Sequence, residues 1–102
     1  MKLEIRVDRD RAAKLLTLND LEQMQTGSTR GMRHILACFL IDPKTNDYYP
    51  VTVNDTDEVF EVVPDPVATK KLGMVTLEKL MELTNEFSPS LDAALIPPPN
   101  GG

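Results

Sequence analysis

The chain has no tryptophan, one cysteine, one histidine and five glycines in 102 residues, and aromatic residues make up only 5 %. A single cysteine, Cys38, excludes an internal disulfide, and one cysteine with one histidine cannot close a zinc site within one chain. Gly27 and Gly31 flank Ser28-Thr29-Arg30, but no G-x-x-x-x-G-K-[ST] spacing exists, so a nucleotide would find no phosphate cradle. The longest apolar run, Ile35 to Ile41, is seven residues. That is far short of the ~20 a membrane-spanning helix needs. Cations are also scarce: eleven Lys and Arg stand against sixteen Asp and Glu, for a net charge of −5. The imbalance is uneven, with seven basic and five acidic residues in 1–41 but four and eleven in 42–102. Nucleic acid and anionic lipid would repel such a chain. The basic residues of the first part are interleaved with acids, so no positive face is expected.

What is there is ordinary for a globular protein: 41 % apolar and 26 % charged residues. The length allows one small core and no second one. Met1 to Arg11 carries charges where a signal peptide would need an apolar stretch. With a lone cysteine, this predicts a cytosolic protein that neither enters a membrane nor binds nucleic acid.

Leu3, Ile5 and Val7 alternate with Lys2, Glu4 and Arg6, the period of a half-buried strand. Asp8 to Arg11 reads as a charged turn. Thr17 with Asp20 three residues on forms a capping box, and the helix it starts should turn Leu18, Leu21 and Met24 inward and stop near Gly27. Ser28 caps a second helix over 29–41, in which Met32, Ile35, Leu36, Phe39 and Leu40 follow a helical spacing. Asp42-Pro43 should end it, because the residue before proline resists the helical conformation. Lys44 to Asp47 reads as a polar turn.

Tyr48 to Val53 and Val59 to Val63 are rich in β-branched and aromatic residues and are separated by Asn54 to Asp57. They favour a hairpin over an unpaired extended excursion, with Pro50 at a strand start or on an edge. Asp65-Pro66 caps a further helix that stops at Gly73. Thr76 starts another, with Leu77, Leu80, Met81, Leu83 or Thr84, and Phe87 on one side, ended by Ser88-Pro89, which can open a last turn through Leu91, Leu95 and Ile96. Leu16 to Leu21 and Val75 to Leu80 look alike, which a shared helix-start grammar explains as well as duplication does. The fold class is therefore mainly helical α+β, with a short N-terminal strand, a β-hairpin insert and four to five short helices. Residues 1–96 should form a single globular domain, and 97–102 a flexible Pro/Gly tail.

Chemistry has little to work with. His34 lies one helical turn from Cys38, the spacing of a nucleophile–base dyad, but no third group is placed to orient them. A packed thiol and a surface histidine are the simpler reading, so the chain is expected not to be an enzyme. Asp55-Thr56-Asp57 is a D-x-D, yet it lacks the glycine and terminal glutamate of a calcium loop. No cofactor, metal or small-molecule substrate is expected. The terminal Gly101-Gly102 and the opening strand suggest a ubiquitin-like modifier, against which stand three preceding prolines and the helical remainder.

Three pieces together resemble the tail assembly chaperones of long-tailed bacteriophages. They are Leu16-Thr17-Leu18-Asn19-Asp20-Leu21-Glu22, the helix with Met32-Arg33, Leu36-Ala37 and Phe39-Leu40, and Val75-Thr76-Leu77-Glu78-Lys79-Leu80 running to Phe87 and a terminus of Ile96-Pro97-Pro98-Pro99-Asn100-Gly101-Gly102. They cover about half of the chain. The charged strand before Arg11 and the hairpin between Asp42 and Asp65 depart from the pattern. The resemblance implies a small factor of the host cytoplasm that keeps the long tape measure protein soluble during tail assembly and leaves before the virion is complete. The alternative is a structural subunit of a tail or capsid, or an adaptor protein.

A long helical client exposes apolar stripes, and a helical domain can cover them with its own groove. Methionine suits such a surface because it repacks readily. Met24, Met81, Leu91, Leu95 and Ile96 are the candidate partner-binding residues on this reading. The plainer assignment of the methionines is to the domain's own core.

Overall fold

The computed structural model describes residues 3–95, with side chains described to residue 91. Among the described residues, five helices and two small antiparallel sheets follow one another. Helix occupies more than half of the described residues, so the class is mainly helical α+β, as the sequence predicts.

Leu3, Ile5 and Val7 are half-buried and Glu4 and Arg6 exposed, which matches the period-2 reading. The segment does not form a strand with a continuous ladder, however. It touches the next layer through one bridge, Ile5 to Leu40, framed by Arg6 N donating to Phe39 O and Ile41 N donating to Glu4 O. The expected turn at Asp8 to Arg11 is instead the start of helix α1, Arg9–Leu15. Asp8 is its N-cap, accepting from Arg11 N at 3.1 Å, and Ala12 and Leu15 are its buried face.

Helix α2, Leu18–Thr26, opens on the full capping box: Thr17 accepts from Asp20 N, and Asp20 accepts from Thr17 N. It closes on Gly27 at φ +74°, a left-handed cap that glycine adopts without penalty. Helix α3, Thr29–Ala37, starts at the Ser28 cap and lies against α2. Gly31 sits at that crossing, where a Cβ would stand 2.8 Å from Gln23 Cβ. Only glycine lets the two helices approach so closely.

α3 ends at Ala37 rather than running to residue 41. Phe39 and Leu40 are buried as expected, but they lie beyond the helix, in a turn that leads to β1, Ile41–Asp42. β1 pairs with β2, Asp47–Tyr48, around the polar turn expected at 44–47, with Asn46 in the left-handed region at φ 56°. Arg11 holds this corner together. Its Nε donates to Cys38 O at 2.8 Å, its Nη2 to Tyr49 O at 3.4 Å, and its guanidinium lies 4.0 Å over the Tyr48 ring.

The second hairpin forms, with its first strand two to three residues and its second strand one residue later than expected. β3, Val51–Asp55, pairs with β4, Phe60–Pro64, in the register Val51 to Pro64 and Asp55 to Phe60. Pro50 precedes the first strand, because it has no N–H for the ladder. Helix α4, Pro66–Gly73, follows the Asp65 cap with proline at its first position.

Helix α5, Leu77–Leu95, is long and passes through Pro89 instead of ending there. Phe87 and Leu91, one turn apart on either side of Pro89, are both almost wholly buried. Their packing holds the helix together although Pro89 has no N–H for the Asn85 carbonyl. The core joins Ala12 and Leu15 of α1, the end of α3, Ala68 and Leu72 of α4, and Leu80, Leu83, Phe87 and Leu91 of α5. At its centre the Phe39 and Phe87 rings meet at 5.3 Å and 55°.

Candidate functional site

Thr17 and Thr76 open α2 and α5 with the same grammar, and this places two exposed leucines. Lys79 N donates to Thr76 Oγ1 at 3.1 Å, as Asp20 N does to Thr17. In each case the apolar residue before the cap (Leu16, Val75) is half-buried and the fourth helical residue (Leu21, Leu80) points inward. The first helical residue lies about 60° away from the fourth around the axis. Leu18 is accordingly 80 % exposed and Leu77 61 % exposed, although the sequence spacing assigns both to the inward face.

Leu77 belongs to the wall of a groove bounded by α2, α3 and α5. The groove has a volume of about 300 Å³. Met24 and Gly27 form one side, Met32 the buried floor, and Leu77, Met81 and Thr84 the other side. None of its lining residues is ionisable, in a chain where 26 % of residues are charged. Met81 is 56 % exposed, so the groove has an accessible apolar lip as well as an apolar floor. Such a surface suits an apolar side chain of a partner, and it offers no charged group with which to orient a polar one.

The five candidate partner-binding residues divide. Met24 and Met81 both line this groove. Leu91 is 2 % exposed within the core cluster, which removes it from the accessible surface of the folded domain. Leu95 lies at the end of α5, with its side chain outside the described set, and Ile96 lies outside the described residues, as does the expected tail at 97–102. Sequence spacing missed Leu77, assigned inward, and Gly27. The cap grammar carried the signal for Leu77.

His34 and Cys38 do not form a dyad. The Cys38 Sγ donates to the backbone carbonyl of His34 at 3.4 Å, and the His34 side chain is exposed. Burial pushes the Cys38 thiol up to about 11; nearby Asp20 adds to this and Arg11 opposes it. A thiol so placed is protonated at neutral pH and is a poor nucleophile. Among the described residues, no three His, Cys, Asp or Glu side chains gather as a metal-binding group, and no helix is long and apolar enough to cross a membrane.

Comparison with family models, curated proteins and solved structures finds no match for this chain.

Proposed function

We propose that this domain is an assembly chaperone of the phage-tail type, which shields an apolar helical stripe of a long client, the tape measure protein, in the α2–α3–α5 groove. The observation that carries the reading is the uncharged, methionine-lined groove with Leu77 and Met81 left exposed on its lip. An isolated exposed leucine needs no explanation, but a continuous uncharged hollow between three helices does. The flexible thioethers of Met24, Met32 and Met81 let one groove accept successive, differently shaped side chains along a client helix. The reading involves no catalytic step and no cofactor, and the protein would act in the host cytoplasm.

The test is co-expression with helical fragments of the tape measure protein of the same phage. Binding should keep those fragments soluble and co-purify them. Met81→Glu places a charge on the lip without touching the core, so it should weaken capture by at least about tenfold, or ~1.4 kcal/mol, while leaving the thermal midpoint unchanged. Undiminished capture by Met81→Glu and Leu77→Glu overturns the groove assignment. High copy number in purified virions would instead mark the protein as a structural subunit.

A further inference from the structure

A second hollow lies on the other side of α3 and shares no lining residue with the groove. Its floor is apolar, formed by Val62, Val63 and Pro64 of β4 with Pro66 of α4, and its volume is about 540 Å³. Lys70 stands on its rim, and an adjoining hollow that shares His34, Pro64 and Thr69 brings in Arg30 and Arg33 of α3. The sequence, with basic residues interleaved among acids, predicts no such positive face. Arg30 and Arg33 are brought to one side by their i,i+3 spacing, and the fold adds Lys70 from 37 residues further on. The two ion pairs among the described residues, Arg6 with Glu4 and Lys79 with Glu82, lie elsewhere. Glu61 is the acid on the cleft, and Asp65 nearby is engaged in capping α4.

The complementary surface is on the same chain. No Lys or Arg occurs between Lys44 and Lys70, and the tip of the β3–β4 hairpin carries Asp55, Asp57 and Glu58. Beside these acids Val59 is 54 % exposed and Phe60 43 % exposed. The tip is held in shape by Thr56 N donating to Val59 O at 2.8 Å and Val59 N donating to Thr56 Oγ1 at 3.0 Å. It therefore presents acid and apolar side chains together, on a preorganised turn, as the cleft presents cations around an apolar floor. The hairpin leaves its own cleft open at the tip: Asp55, Asp57, Glu58, Val59 and Phe60 line neither hollow, and Glu61 is the acid that the hairpin contributes to its own cleft.

We propose that the hairpin tip of one copy docks in the Arg30–Arg33–Lys70 cleft of a second copy, joining copies head to tail. The contact uses different patches on the two partners, so it extends into a ring or a string rather than stopping at a two-fold dimer. It stands independently of the groove and of the chaperone reading.

Sedimentation analysis of the full chain across a concentration series tests it. The weight-average mass should rise above that of the monomer with concentration, and raising salt from about 0.05 M to about 0.5 M should move the midpoint at least about tenfold higher. Asp57→Lys with Glu58→Lys, on the tip, should leave the chain monomeric, and so should Arg30→Glu with Arg33→Glu on the cleft. All four side chains are exposed, and an unchanged melting curve verifies that each variant is folded. Mixing the two variants should restore association, because the native cleft of the first accepts the native tip of the second. A monomer at every concentration, association indifferent to both reversals, or no recovery on mixing each overturns the proposal. If an acidic peptide from another protein fills the cleft instead, the unmixed wild-type chain stays monomeric.

Discussion

Cys38 is the residue whose chemistry the fold alters most. It is the buried C-cap residue of α3, with its carbonyl taken by Arg11 of α1 and its Sγ turned back to His34 O. Burial raises its pKa from 9.0 to about 11, and the sign of the stability effect follows. Below about pH 9 both folded and unfolded chains keep the proton, and the shift has no effect. Between about pH 9 and pH 11 the unfolded thiol ionises while the folded one stays protonated, so the unfolded state binds fewer protons and stability falls as pH rises. The full loss is about 2–3 kcal/mol above the folded value. Urea unfolding at a series of pH values should show this decline in the wild type, and a Cys38→Ala variant should show a shallower one, the difference isolating the thiol from tyrosine and lysine titration. The native thiol should also resist a thiol reagent at about pH 8 until the chain unfolds.

At the scale of the element, α5 carries the clearest conflict between local and tertiary preference. Pro89 removes one backbone donor and crowds the Asn85 carbonyl, a cost of ~3 kcal/mol in a free helix. Leu91 offsets it, because it reaches the core beyond Phe87 only if the helix continues past Pro89. Pro89 is exposed, so Pro89→Ala should raise stability by about 1–3 kcal/mol and increase far-ultraviolet helicity; a lower melting temperature would show that the proline itself is needed for the packing of Leu91. The same conflict explains which elements were legible in the sequence. Thr17 with Asp20, Ser28, Asp65-Pro66 and Thr76 each announce a helix by local hydrogen bonding, and all four caps are present. α1 is not legible, because only Ala12 and Leu15 are buried among its charges, too few for a visible period; the Asp8 cap is its one local sign. The end of α3 is not legible either, because Cys38 to Ile41 is uniformly apolar, and buried helix and buried extended chain look alike in such a run. Two-residue strands such as β1 and β2 leave no alternation to read. In the candidate site, helical spacing reached Met24 and Met81, whereas Leu91 was committed to the core by a helix that should, on local grounds, have stopped.

The molecule as a whole is held by contacts that are distant in sequence, and Phe39 with Phe87 is the central one. Phe39 leaves the end of α3 toward the sheet layer, and Phe87 comes from the middle of α5, 48 residues later. Both are almost completely buried, and α5 packs against both α1 and α3. Phe39→Ala should therefore cost about 3–5 kcal/mol, from lost transfer free energy and the cavity left behind. A domain of this size has roughly 5–15 kcal/mol in total, so the variant would sit near the edge of folding. The distribution of the loss is the more telling result. Far-ultraviolet circular dichroism reports chiefly the helices, and with no tryptophan in the chain the near-ultraviolet signal rests mainly on Tyr48 and Tyr49, which flank the Arg11 corner. If Phe39 joins helices and sheet into one cooperative unit, both signals should move to the same lower urea midpoint in Phe39→Ala. Phe87→Ala should do likewise, and the double variant should lose less than the sum of the two singles, because the rings contact each other. Separate midpoints for the two signals would mean that the hairpins and the helical layer unfold independently, and that Phe39 belongs to only one of them.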